Sequence, residues 1–160
     1  MLNIKLVVVG KLKEKFHKEE VDEYLKRLSR YAKVKIIEVE EEKIKENSSI
    51  KENEIILNKE GNNVLKQIKE NEYLFLLDLH GQEISSEEFA KAIKELPLKN
   101  YSTISFVIGG SLGVSEELRK RSNFKLKLSP MTFTHQMTRI IILEQIYRAF
   151  KINNNETYHK

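Results

Sequence analysis

With 160 residues, 40% hydrophobic and 32% charged, and only two prolines and six glycines, the chain has an ordinary globular composition. That excludes collagen-like, low-complexity and largely disordered classes. The length suggests one domain over residues 1–160, able to bury roughly 68–70% of its unfolded surface without staples.

Cysteine is absent, which rules out disulfides, thiolate metal ligands and thiol nucleophiles. The formal charge of +4 is unevenly placed: Arg119 to Lys160 holds nine Lys/Arg against two Asp/Glu. A basic last quarter behind a slightly acidic body suits a polyanionic partner, nucleic acid first, although a solvated basic face would look the same. The N-terminal apolar run Leu6–Val9 is too short for a signal-peptide core, and no run is long enough to span a membrane. A soluble cytoplasmic protein is expected.

In chain order, residues 4–9 form a β-rich run ending at Gly10, a buried strand. A helix follows, with Val21, Tyr24, Leu25 and Leu28 on one face. Residues 34–39 are a second strand, residues 40–53 a charged loop, and residues 56–69 a helix around Val64, Leu65 and Ile68, with Gly61 a soft spot. Residues 73–79 are nearly all apolar, as in a strand covered on both faces. Ser85 and Glu88 make a capping box for a helix bearing Phe89, Ala92, Ile93 and Leu96, with Pro97 just past its end. Residues 103–108 are a strand running into Gly109-Gly110-Ser111-Leu112-Gly113, and Ser115 caps a short helix. Phe124, Leu126 and Leu128 alternate as a half-buried strand, and a last helix covers about 135–150.

Strands alternating with helices predict an α/β fold, a mostly parallel sheet with helices on both faces. Consecutive Ile140 to Leu143 leave the last helix no polar face, so its own domain or a second copy must cover it. A homodimer through this helix is the favoured expectation.

Three segments could carry chemistry. The glycine turn 109–113 lets backbone approach a ligand, but it is neither GxGxxG nor a Walker loop, and a tight strand-to-helix connection explains it equally well. Residues 128–139 lead through Pro130, Met131 and Phe133 into a helix start with His135, Gln136 and Arg139; the hydroxyls of Ser129 and Thr132 could cap that helix or bond a ligand. The tail Tyr158-His159-Lys160 joins an aromatic, an imidazole and a cation. His17 and His80 look isolated. No His, Asp or Glu pair has metal-ligand spacing, so no metal is expected.

These segments, with KLKEKF near the start, LDLHGQEISSEEFA, FVIGGSLG, LSPMTFTHQMTRIIILEQIYRAFKI and the final YHK, occur together in order and spacing. Together they resemble, over essentially the whole chain, the bacterial ribosomal RNA large-subunit methyltransferase H family of the SPOUT (α/β-knot) methyltransferases. The resemblance implies a C-terminal trefoil knot, a homodimer, S-adenosylmethionine as methyl donor, and methylation of N3 of a pseudouridine in large-subunit ribosomal RNA. It places Leu77, Gly109, Gly110 and the run Leu128, Ser129, Pro130, Met131, Thr132 and Phe133 around the cofactor.

On that reading the imide nitrogen must lose its proton. His159 could take it, Arg139 or Lys160 could stabilise the anion, and Tyr158 could stack on or hydrogen-bond the base. His135 and Lys160 are candidate RNA contacts. The absence of cysteine agrees with a ring nitrogen as nucleophile, since methylation of a pyrimidine carbon normally needs a thiol adduct. Two residues depart from the family pattern: Thr134 stands where proline is expected, and residues 153–156 (Asn-Asn-Asn-Glu) stand where a glycine is usual. Two competing readings remain at this stage. A non-catalytic RNA-binding module would leave the glycine turn and the 128–133 run without a purpose. A nucleotide-dependent oxidoreductase should show GxGxxG.

Overall fold

The computed structural model describes residues 1–160. Five strands, β1 (Leu2–Val9), β2 (Ala32–Val39), β3 (Tyr73–Gln82), β4 (Thr103–Ile108) and β5 (Phe124–Leu126), form one sheet in the order β2-β1-β4-β3-β5. Every pairing is parallel. Five helices connect them: α1 (Lys15–Leu28), α2 (Ile50–Leu65), α3 (Ser86–Glu95), α4 (Glu116–Arg121) and α5 (His135–Asn153).

The pleat sorts side chains onto two faces, so each apolar strand feeds two cores. On one face Ile4, Leu6, Val8, Ile104, Phe106 and Ile108 meet α1, α3 and α5. Phe75 stacks on Phe106 with ring centroids 5.0 Å apart, and Phe89 of α3 meets both rings at larger angles. On the other face Val7, Val9, Leu74, Leu76 and Val107 pack under α2 and α4 through Val64 and Leu118.

Helix α5 lies between α1 and α3. Ile142, Leu143 and Ile146 are fully buried, while Ile140, Ile141, Tyr147 and Phe150 are half-buried. Its own domain therefore takes most of the apolar surface that suggested a partner.

Several boundaries differ from the sequence reading. Helix α2 begins at Ile50, inside the stretch expected to loop out, because the Ser49 hydroxyl accepts the Glu52 amide hydrogen bond and closes the first turn. It ends at Leu65 rather than Lys69. Strand β3 runs on to Gln82 after an irregular register beyond Leu77. Pro97 sits inside a 3-10 turn (Leu96–Lys99) that Asn100 ends at φ 72°.

Helix α5 continues to Asn153 and ends in a Schellman motif. Asn155 holds φ 54°, its amide donates to Ile152, and the Glu156 amide donates to Lys151. The asparagine thus does the work of the glycine that the family pattern leads one to expect. The expected capping box on α3 is present in full.

Candidate active site

Three strand exits meet at the carboxyl ends of β3, β4 and β5. Parallel α/β sheets hold their ligands there, beyond the strand ends where helices begin. The exits enclose a cavity of about 460 Å3, within the range of small-molecule sites.

Its floor is the turn after β4. Gly109 and Gly110 are buried, and a Cβ on Gly109 would sit 2.3 Å from the Gly113 carbonyl oxygen. Gly113 itself has φ +91°, and its amide donates to Gly110. Only glycine lets this turn close so tightly.

Opposite lies the segment after β5. The Ser129 hydroxyl accepts the Met131 amide hydrogen bond and shapes the turn. Thr134, not Ser129 or Thr132, caps α5, accepting from the Met137 amide; its φ of −63° is one a proline ring would hold.

Of the residues proposed around a cofactor, Leu77, Gly109, Gly110, Leu128, Ser129, Met131, Thr132 and Phe133 all line this cavity; Pro130 is exposed beside it. His135 also lines it. Sequence reasoning missed Asp78, His80, Arg119, Lys127 and Thr138, which share the lining. Asp78 lies in the quoted run LDLHG, but nothing local shows that Arg119 reaches it. Their side chains pair at 3.2 Å across 41 positions, and Asp78 also accepts the His80 amide. Leu79, Met131, Phe133 and Met137 leave exposed apolar surface around this region.

Behind the glycine turn stand carboxylates. Glu41 accepts from the Ser111 hydroxyl, and the buried Glu60 accepts from the Glu42 amide. Burial pushes the Glu60 carboxyl above its ordinary range, against the lowering effect of that amide; Glu41 and Glu42 push it further up.

The other proposed residues lie elsewhere in the chain. The Arg139 guanidinium is buried, 2.8 Å from Glu38 and bonded to the Gly10 carbonyl, so its charge is committed to tying α5 to the ends of β1 and β2. The tail packs on α5 and α3. The Tyr158 ring stands edge-on to Tyr147 and under the Arg148 guanidinium, and its hydroxyl donates to Glu144. Burial, with Glu144 next, pushes its phenol up to about 12. Lys160 is exposed.

His159 sits between Arg148, 3.0 Å from Nδ1, and Glu87, 2.7 Å from Nε2. A guanidinium only donates, so Nδ1 is the acceptor and Nε2 carries the proton to Glu87. That hydrogen bond holds the Glu87 carboxyl below its usual range.

The comparisons with known proteins agree with this geometry. The family model described as "Predicted SPOUT methyltransferase" matches residues 2–159. Among curated relatives, the chain is 55% identical over 159 residues to the "Ribosomal RNA large subunit methyltransferase H" of Clostridium botulinum (strain Langeland / NCTC 10281 / Type F), covering 99% of this chain and all of that one. It is 53% identical, with the same coverage, to the protein so named in Clostridioides difficile (strain 630). Among solved structures, a protein described as a "probable methylase family protein" from Haemophilus influenzae Rd KW20 superposes with a TM-score of 0.53 at 13% identity, over 98% of this chain and 70% of that one. A Legionella pneumophila protein described as a "putative methyltransferase" in complex with the bound cofactor SAM superposes with a TM-score of 0.50 at 14% identity, over 93% and 66%. The chain belongs to the SPOUT methyltransferases, in the ribosomal RNA large subunit methyltransferase H family.

Proposed function

We propose that the protein methylates N3 of a pseudouridine in large-subunit ribosomal RNA on the assembled ribosome, as a homodimer with a trefoil-knotted C-terminal half, in the cytoplasm. The observation that carries this is the cavity, where the glycine turn and the Leu128–Phe133 segment expose backbone to a ligand at the ends of three parallel strands. A Cβ at Gly109 would collide with the Gly113 carbonyl oxygen, so only glycine lets the turn close and present its backbone to a flat nucleoside cofactor. When bound, S-adenosylmethionine supplies an electrophilic methyl on a sulfonium. Leu77, Gly109, Gly110 and Leu128–Phe133 would hold and orient it.

The protein's own contribution to the nucleophile is deprotonation and charge. In its resting place His159 has both ring nitrogens engaged, so it must leave Glu87 and Arg148 before it can take a proton. Tyr158 leaves Tyr147 with it and becomes available to stack on the base. In the dimer this reading requires, the tail of one protomer serves the pocket of the other, and the exposed Leu79, Met131, Phe133 and Met137 are covered. Lys160 and His135 then meet phosphate. Arg139 acts only through position, because its guanidinium is bound to Glu38.

The test uses ribosomes from a strain lacking the enzyme, with mass spectrometry of the product. Deleting Tyr158 to Lys160 should abolish turnover and leave S-adenosylmethionine binding unchanged. Unchanged turnover overturns the tail's role, and a purified protein that is monomeric and indifferent to the cofactor overturns the function.

A further inference from the structure

We infer that Arg119 is the receptor for the anionic end of the ligand in this cavity, the α-carboxylate of the cofactor's amino-acid moiety. The inference rests on the functional reading above and deepens it. Arg119 is the one arginine lining the cavity, and Asp78 is its one carboxylate. The Asp78 side chain is 3% exposed and spends both oxygens inward, one on the His80 amide and one on Nε of Arg119.

The bond to Nε fixes the guanidinium by its inner edge and leaves the outer fork without a hydrogen-bond partner. Glu116, on a 68% exposed side chain, stands 3.7 Å from Nη1, beyond bonding distance. A planar fork held from beneath and open above matches a carboxylate in bidentate geometry. The lining sets Arg119 and Lys127 against the single carboxylate of Asp78, so an incoming carboxylate meets a surplus of one positive charge. S-adenosylmethionine carries a single anionic group, and the glycine turn that would hold its flat nucleoside lines the same cavity. An RNA phosphate is the other anion that could reach the fork, but the exposed lining residues Leu79, Met131 and Phe133 are apolar and offer a polyanion no charge.

The test is calorimetric binding of S-adenosylhomocysteine and of 5′-methylthioadenosine, which keeps the nucleoside and thioether but lacks the amino-acid group. Arg119→Gln should weaken the first about 10- to 100-fold, the range for a charge-assisted hydrogen-bonded pair, and leave the second at the wild-type value. Arg119→Lys, which keeps a cation beside Asp78 should the glutamine variant fail to fold, should show a smaller loss on the first compound alone. Equal losses on both compounds overturn the inference, since Arg119 would then only shape the cavity. No loss on either also overturns it, and if ribosome binding then weakens with a shallower salt dependence, the fork belongs to an RNA phosphate. Wild-type protein that binds neither compound refutes the methyltransferase reading itself, an outcome distinct from the other two.

Discussion

Replacing Gly109 by alanine tests the cavity floor most sharply. The new Cβ would lie 2.3 Å from the Gly113 carbonyl oxygen, 2.9 Å from Val114 Cγ1 and 3.0 Å from the Gly113 carbonyl carbon. Real Cβ contacts essentially never fall below 3.0 Å, so the oxygen alone must retreat by 0.7 Å. It is a backbone atom and cannot rotate away as a side chain would; the amide of the same residue is held by the Gly110 carbonyl, so the turn must shift as a unit. Overpacking of this kind costs about 1–3 kcal/mol, or roughly 2–12 °C in Tm for a chain of this length. A ligand-bearing turn moved by close to 1 Å loses on the order of 100-fold in function. Gly110→Ala is the control, because its Cβ meets Val9 Cγ1 at 3.1 Å and the Glu60 carboxylate at 3.4 Å, both side-chain atoms that can yield. Calorimetry with S-adenosylhomocysteine and a thermal melt should show Gly109→Ala losing most of its affinity and Gly110→Ala losing a few-fold at most. Wild-type affinity in Gly109→Ala, or equal losses in the two variants, would refute the steric argument.

Four further outcomes are expected. Ile142→Ala should cost about 2–5 kcal/mol in urea unfolding, since this side chain is fully buried between α1, α3 and the sheet; a loss below about 1 kcal/mol would mean the layer collapses around the gap. Arg139→Met should lower stability by about 1–3 kcal/mol, less than for a fully buried pair because Glu38 is partly exposed. It should leave turnover per folded molecule near wild type, and a stable variant with collapsed kcat would show a direct electrostatic role instead. Asn155→Ala should destabilise the end of α5 by about 1 kcal/mol while Asn155→Gly does not, since only glycine takes φ 54° without a Cβ penalty; equal melts would contradict the Schellman reading. Glu87 has a depressed carboxyl, so its hold on the tail is complete above the ordinary glutamate value of about 4.3 and is lost below it, as pH falls through the lowered folded value. Tail heteronuclear NOEs should drop on that acid limb and be low already at pH 7 in Glu87→Gln; a tail equally rigid in the variant would remove Glu87 from the clasp.

The strands, their parallel class, the α3 capping box and the two-faced helix layers were legible because each is written in contiguous residues of period 2 or 3.6. The glycine turn and the Leu128–Phe133 run could be named before the fold was known for the same reason. Helix α2 was misplaced because charge masked its start. Ser49 and Glu52 carry the cap, but Ile50 and Ile55 point to solvent and blur the apolar stripe that would have marked the helix. What stayed hidden depends on distant pairing. Arg139 reads locally as a free cation at a helix start, and its partner Glu38 stands 101 positions away. Arg119 reads as one of three basic residues in a short helix until Asp78 is brought under it.

The division between cavity and tail bears on how the two could work together. The cavity is lined by residues of a single chain, from the strand exits and the starts of α4 and α5, so under the proposed function its cofactor site does not need residues of a second copy. The tail is the opposite case. Glu144 receives the Tyr158 hydroxyl, Glu87 and Arg148 take both nitrogens of His159, and Glu156, held by Lys151 and the Tyr31 hydroxyl, fixes the turn that leads into it. None of these anchors is a lining residue of the cavity. Under the proposed function, a variant that is forced monomeric but keeps these contacts should bind S-adenosylhomocysteine normally and transfer no methyl group. Mixing a tail-deleted chain with a chain disabled at Gly109 should then restore part of the turnover, because one mixed dimer carries an intact cavity facing an intact tail. Absence of complementation in verified mixed dimers would mean that the tail serves its own protomer, and that its release from Glu87 and Arg148, rather than a partner, completes the site.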